Sequence, residues 1–166
     1  MVIKLEDIDV FVFDFDGVLT NNIVHLDGKG GEWVSCSRSD GLAFDAIKKL
    51  NKSVYILSTE KNPVVSARAK KLKIPVLQGV KDKSQCLREL SNQENFSLQR
   101  VLYVGNDLND FYAMKLCGFS ICPFDSHSKI HEISNITLKT AGGNGVVREI
   151  LEEIIGLDLL EILYNH

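Results

Sequence analysis

Short, mainly apolar runs alternate along this chain with longer stretches in which apolar residues return every three or four positions. The runs are Val10–Phe13, Val54–Leu57, Val101–Val104 and Phe119–Cys122. Each has the length of a strand, and strands apolar on both faces belong to a parallel sheet covered by helices on either side. Helical spacing is clearest in Leu42, Ala46 and Leu50, in Leu108, Phe111, Tyr112 and Leu116, and in Val147, Ile150, Leu151, Ile154 and Ile155, and these faces are expected to form core. Pro63 suits the first turn of another helix running to about Lys73, where the N–H it lacks would be unpaired anyway. Pro75 then marks the exit into a short strand. Between Asn21 and Ser39 the alternation is interrupted: NNIVHL and EWVSCS flank the turn-rich DGKGG, the pattern of a β-hairpin. The whole predicts an α/β fold, a Rossmann-like doubly wound parallel sheet with a β-hairpin inserted after the first strand.

Composition narrows the setting. The 166 residues are 45% hydrophobic and 25% charged, which fits one domain spanning 1–166. A net charge of −3 supplies no basic field for a nucleic-acid backbone or an anionic membrane, so neither partner is expected and any anionic ligand must be small and locally held. Cys36, Cys86, Cys117 and Cys122 form no Cys-x-x-Cys pair and lack zinc-type histidine spacing, as expected of a reducing cytoplasm. Lys4, Glu6, Asp7 and Asp9 precede any long apolar run, and no stretch of about 18 uncharged apolar residues occurs, so neither a signal peptide nor a membrane span is expected.

In a sheet of this kind ligands bind beyond the carboxyl ends of the strands, so the residues that end each strand are read together. The first strand ends in Asp14-Phe15-Asp16-Gly17-Val18-Leu19-Thr20. Two carboxylates two positions apart leave an extended chain on the same face and call for a cation. Oxygen-only ligands suit Mg²⁺, which also polarises a phosphoryl group. Ser58 and Thr59 end the second long strand and offer hydroxyls and N–H groups to phosphate oxygens. Lys83, in KDKSQ, would neutralise phosphate charge, although most lysines that open helices are merely solvated. The strand Val101–Val104 ends in Gly105-Asn106-Asp107-Leu108-Asn109-Asp110, either a helix cap or the remainder of a metal site.

These residues carry a resemblance. DFDGVLT resembles the first motif of the haloacid dehalogenase superfamily, and Ser58, Lys83 and GNDLND fall in the order of the other three. The resemblance implies a phosphatase in which Asp14 attacks phosphorus and Asp16 acts as acid and then base. Ser58, Thr59 and Lys83 would hold the phosphate, and Mg²⁺ would sit among Asp14, Asp16, Asn106 and Asp107, with Asp110 behind them. One departure stands out: many relatives have Gly-Asp-Asp where this chain has Gly-Asn106-Asp107.

Over nearly the whole chain the resemblance extends to capless phosphatases acting on 3-deoxy-2-ulosonic acid phosphates, the octulosonate 8-phosphate and the nine-carbon sialate-type 9-phosphate enzymes. It is carried by DGKGGEW, by Arg38-Ser39-Asp40-Gly41 and by Gly142-Gly143-Asn144-Gly145-Val146-Val147-Arg148-Glu149. Glu60-Lys61 resembles the nine-carbon group, as do Arg68 and Lys71, which at three-residue spacing share a helix face and would meet a substrate carboxylate. With no room for an inserted cap, the resemblance implies a homotetramer whose neighbouring hairpin, or Gly142–Arg148 loop, roofs the site. His25 and Trp33 in the hairpin receive no catalytic role. Two rivals share features. A phosphoacceptor receiver domain would place its aspartate at a later strand end, where Ser58 and Thr59 stand. The other is a non-catalytic oligomerising domain of the kind attached to sialate cytidylyltransferases, which Asn106 keeps open.

Overall fold

Strand β1 (Val10–Phe13) is buried at every position and pairs in parallel with a strand on each side. Its residues divide between two cores. Phe11 and Phe13 enter the larger one, and Val10 and Val12 enter the smaller one on the opposite face. A strand with no solvent face must be apolar throughout, which accounts for the uninterrupted run in the sequence.

A computed structural model describes residues 2–165. After β1 come the hairpin strands β2 (His25–Leu26) and β3 (Glu32–Trp33), then α1 (Ser39–Lys49), β4 (Ser53–Leu57), α2 (Val64–Leu72), β5 (Val76–Leu77) and α3 (Lys83–Glu94). The chain continues with β6 (Val101–Val104), α4 (Phe111–Leu116), β7 (Phe119–Cys122), α5 (Ser128–Ile133), β8 (Ile136–Thr137), α6 (Val146–Glu149), a π-helical turn (Ile150–Ile154) and α7 (Leu159–Tyr164). The main sheet runs β5-β4-β1-β6-β7-β8, all parallel, and β2 and β3 pair separately in antiparallel register. This is the doubly wound α/β fold expected from the apolar pattern. The order reverses at β1, where the chain leaves through β4 and β5 and returns at β6, opening a crevice between the ends of β1 and β6.

Helices α1, α2, α6 and α7 cover the face with Phe11, Phe13 and Phe44, while α3, α4 and α5 cover the other with Leu87, Met114 and Ile130. Asp82 opens α3 by accepting from the N–H groups of Ser84 (2.8 Å) and Gln85 (3.1 Å). This cap, of a type worth about 1 kcal/mol, fixes Lys83 as the first helical residue. Pro63 stands just before α2, and Lys73 closes that helix with a left-handed backbone. Two expectations about helix faces fail. Leu108 is exposed in a separate 3₁₀ turn (Leu108–Asp110) ahead of α4, and Tyr112 is exposed because the short α4 turns Ala113 and Met114 to the core instead. Leu42 is likewise exposed on α1. Only the hairpin separates β1 from α1, and only α2 and β5 separate β4 from α3, so neither gap holds a cap domain. No helix among the described residues is long and apolar enough to cross a membrane.

Candidate active site

The crevice at the reversal point holds a cavity of about 310 Å³ lined by Asp14, Asp16, Asn22, Thr59, Asn106, Asp107, Leu108 and Asn109. Asp14 follows the last residue of β1. Its backbone N–H donates to Val104 O (2.9 Å), tying it to the end of β6, and its Oδ1 accepts from the N–H of Phe15 (2.7 Å).

Behind Asp14 lies a buried charge network. Lys83 Nζ is 2.7 Å from Asp14 Oδ1 and 2.7 Å from Asp110 Oδ1. Tyr103 donates its hydroxyl to the same Asp110 oxygen (2.8 Å), and Asp110 Oδ2 accepts from the N–H groups of Asn106 (3.0 Å) and Asp107 (3.4 Å). Burial pushes the Asp14 carboxyl up to about 8, the charge of Asp110 acting in the same sense and Lys83 against both. For Lys83 burial acts downward, but Asp14 and Asp110 outweigh it and hold the ammonium above its ordinary range. One cation thus serves two carboxylates out of water, and a second cation at Asp14 would favour its charged form.

Three oxygens mark where such a cation fits. Asn106 is buried, and one orientation of its amide puts the side-chain oxygen 2.8 Å from the carbonyl oxygen of Asp16 and 3.2 Å from Asp14 Oδ2, with no donor between them. An ion bound octahedrally at 2.0–2.1 Å needs neighbouring ligand oxygens about 3 Å apart, so this spacing and this donor chemistry fit Mg²⁺. Turned over, the same amide would donate to both oxygens and close the site without an ion. Gly17 makes room for it, since a Cβ there would lie 1.9 Å from the Asn106 amide nitrogen. Among the described residues no three His, Cys, Asp or Glu side chains gather as a metal site, in keeping with a triangle of one carboxylate, one backbone carbonyl and one amide.

The other residues singled out by sequence are placed unevenly. Asp16 is half-buried at the cavity, its carboxyl raised by burial first and by the charge of Glu60 next. Asp107 lines the cavity but spends Oδ1 on the N–H of Leu108 (2.7 Å), so the oxygen triangle forms without its carboxylate. Ser58 is buried and accepts from the N–H of Glu60 (3.1 Å), and Thr59 lies at the wall, where Asn109 donates to its hydroxyl (3.2 Å). Glu60 accepts from the N–H groups of Lys61 (2.6 Å) and Asn62 (2.8 Å), closing its own loop. Arg68 and Lys71 do share one helix face, but they line a different groove with Cys36 and Arg38, and Arg68 donates to Ser37 O (2.9 Å). The structure does not bring them into the Asp14 cavity. Within the Gly142–Arg148 segment, Gly142 and Gly143 pack against the backbone of Gly17 and Thr20 of their own chain. The sequence reading does not single out Tyr103 or Asn22, whereas Asn109 falls in the candidate segment Gly105–Asp110. A phenol inside an otherwise apolar strand is the signal that could have found Tyr103, because a buried hydroxyl needs a partner.

Comparison with known proteins agrees with this geometry. The haloacid dehalogenase-like hydrolase family matches residues 36–150. A solved structure ascribed to a HAD family hydrolase of Streptomyces avermitilis superimposes with a TM-score of 0.92 at 42% identity, covering 96% of this chain and 91% of that one. The 3-deoxy-D-manno-octulosonate 8-phosphate phosphatase of Moraxella catarrhalis, solved with magnesium, phosphate and KDO, gives 0.85 at 29% identity, covering 96% and 89%. The 3-deoxy-D-manno-octulosonate 8-phosphate phosphatase of Haemophilus influenzae is 29% identical over 153 residues, 92% of this chain and 85% of that protein.

Proposed function

The chain belongs to the haloacid dehalogenase-like hydrolases as a capless phosphoric monoester hydrolase, and on that premise we propose that it removes phosphate from a 3-deoxy-2-ulosonic acid phosphate through a phosphorylated Asp14. The observation that carries the reading is the buried Asp14–Lys83 pair beside the cavity that Asp14, Asp16 and Asn106 line together. Asp14 Oδ2, the Asp16 carbonyl and Asn106 would hold a divalent ion, which when bound neutralises phosphate charge and orients phosphorus toward the nucleophile.

In the first step a carboxylate oxygen of Asp14 forms a bond to phosphorus as the bond from phosphorus to the sugar oxygen breaks. Asp16 gives its proton to that departing oxygen, a role suited by its raised pKa. In the second step Asp16 takes a proton from water, whose oxygen bonds to phosphorus as the Asp14–phosphorus bond breaks, leaving inorganic phosphate. Lys83, Ser58 and Thr59 meet the charge on the phosphoryl oxygens. Residues 1–166 act as one catalytic domain. Asp14, Asp16 and Lys83, all present where the strands end, support catalysis over the non-catalytic reading.

Two of the three similar proteins, those of Moraxella catarrhalis and Haemophilus influenzae, are octulosonate 8-phosphate phosphatases. The preference inferred for this chain is a nine-carbon 9-phosphate, supported by Glu60, whose charge is felt at Asp16, and by the resemblance of Glu60-Lys61, Arg68 and Lys71 to the nine-carbon group. Since Arg68 and Lys71 lie outside the cavity of their own chain, they would reach a substrate carboxylate across a subunit boundary, which fits the inferred homotetramer. The four unpaired cysteines suit a cytoplasmic setting. The test is phosphate release from eight- and nine-carbon ulosonate phosphates with Mg²⁺. A higher kcat/KM for the nine-carbon substrate is expected, and an equal or higher value for the eight-carbon one reverses the preference.

A further inference from the structure

We propose that Asp40 is a positioning residue for the phosphoryl-transfer step, bracing through α6 and the Gly142–Gly145 segment the turn that carries Asp16. The proposal rests on the assignment of Asp16 as proton donor. Asp40 lies in the first turn of α1 and is 2% exposed, yet it serves another helix: its Oδ1 accepts from the N–H groups of Val147 (2.9 Å) and Arg148 (3.3 Å), in the first turn of α6. The residue before α6 is Gly145, which has no side chain to cap it, so Asp40 supplies the cap from more than a hundred residues away in sequence.

What α6 holds in place is the glycine segment. At its far end the N–H of Gly142 donates to Asp125 Oδ1 (2.8 Å), and in its middle the N–H of Gly143 donates to Val18 O (3.0 Å). The contact with the catalytic turn is backbone against backbone. A Cβ on Gly142 would lie 2.2 Å from Gly17 O, and one on Gly143 would lie 2.6 Å from Thr20 C and from Asn21 N. Thr20 in turn accepts the N–H of Gly17, the residue after Asp16, on its hydroxyl (3.2 Å). Among the described residues none donates a hydrogen bond to the Asp16 carboxylate, and the hydrogen bonds of this turn are made by its neighbours Asp14, Gly17 and Thr20. The aim of that carboxylate is therefore set by the backbone of the turn, and that backbone is braced from behind. The second oxygen of Asp40 is buried without a partner, in a small space lined by Leu19, Ser37, Phe44, Arg68 and Leu72, so the brace depends on the accepting oxygen alone.

A misplaced proton donor slows departure of an alkoxide far more than that of a nitrophenolate, which needs no proton. The measurement is kcat/KM on 3-deoxy-D-manno-octulosonate 8-phosphate and on 4-nitrophenyl phosphate for wild type, Asp16→Asn, Asp40→Ala, Asp40→Asn and Gly143→Ala. The ratio of the two constants is expected to fall about tenfold or more in Asp16→Asn, Asp40→Ala and Gly143→Ala. Asp40→Asn keeps the accepting oxygen and is expected to stay within about threefold of wild type. A selective loss in Asp16→Asn with an equal loss on both substrates in Asp40→Ala and Gly143→Ala overturns the brace alone. An equal loss in Asp16→Asn overturns the donor assignment, and the brace with it. Should Asp40→Ala unfold by circular dichroism, Gly143→Ala carries the test; unfolding of both makes the contact a matter of stability and overturns the proposal.

Discussion

Replacing Tyr103 with phenylalanine removes one oxygen atom from the centre of the molecule and changes little else. Tyr103 is fully buried in β6, and its hydroxyl donates to Asp110 Oδ1 at 2.8 Å. Phenylalanine fills the same ring space, so the cost is that of one hydrogen bond to an ionised acceptor, about 1.5–3 kcal/mol. Asp110 Oδ1 keeps Lys83, so no charge is stranded and the larger penalty of a broken buried pair does not arise. For a chain of this length each kcal/mol moves the midpoint by about 2–4 °C, which predicts a fall of about 3–12 °C. Urea unfolding should show a lower midpoint at unchanged slope. The effect also has a pH signature. Burial, and then the charges of Asp110 and Asp14, raise the Tyr103 phenol well above its ordinary range. Above about pH 10 the unfolded phenol ionises while the folded one keeps its proton, so wild-type stability falls there by up to about 1.4 kcal/mol per pH unit on this account. Tyr103→Phe lacks that contribution, and its disadvantage should shrink as pH rises. A stability change below about 0.5 kcal/mol at neutral pH, or a disadvantage constant through pH 11, would refute the reasoning.

Two further outcomes follow from the same geometry. Asn106→Asp removes the amide that can close the site without an ion and places a carboxylate against two other oxygens; Mg²⁺ affinity measured by calorimetry should rise at least about tenfold, and the metal-free variant should melt lower than wild type. Weaker Mg²⁺ binding would place the ion elsewhere. The hairpin exposes Ile23, Val24, Leu26 and Trp33, with His25 and Trp33 stacked at 5.3 Å, and this face is expected to be covered in a homotetramer. Sedimentation should find an assembly larger than a monomer at assay concentration, and a fully active monomer would refute it.

The parts of this molecule that were legible in its sequence are those set by local rules. Val10–Phe13, Val101–Val104 and Phe119–Cys122 are strands with those bounds, the first two buried at all four positions and the third carrying Ser120 among its apolar residues. The hairpin was legible from its glycine-rich turn. Residues ending β1 and β6 were legible because a parallel sheet brings its carboxyl ends together. What stayed hidden depends on distant partners. The two-residue strand β8 is defined only by pairing with β7. The exposure of Leu108 and Tyr112 follows from the break of the expected helix into a 3₁₀ turn and the short α4. The capping of α6 by Asp40 and the tie of Tyr103 to Asp110 join elements that no periodicity links. Arg68 and Lys71 show both sides: their shared face follows from helical spacing, but the groove it lines is fixed by packing against α1.

The central claim is that Asp14 carries the phosphoryl group. Its most direct test is to quench the enzyme with acid during turnover of a ulosonate phosphate in Mg²⁺ and to map the peptide containing Val10–Thr20 by mass spectrometry. The account predicts one added phosphoryl group on Asp14 in wild type, and neither phosphopeptide nor phosphate release in Asp14→Asn, whose amide cannot form the acyl phosphate. Sustained turnover by Asp14→Asn, or a covalent phosphate found on another residue, would contradict it.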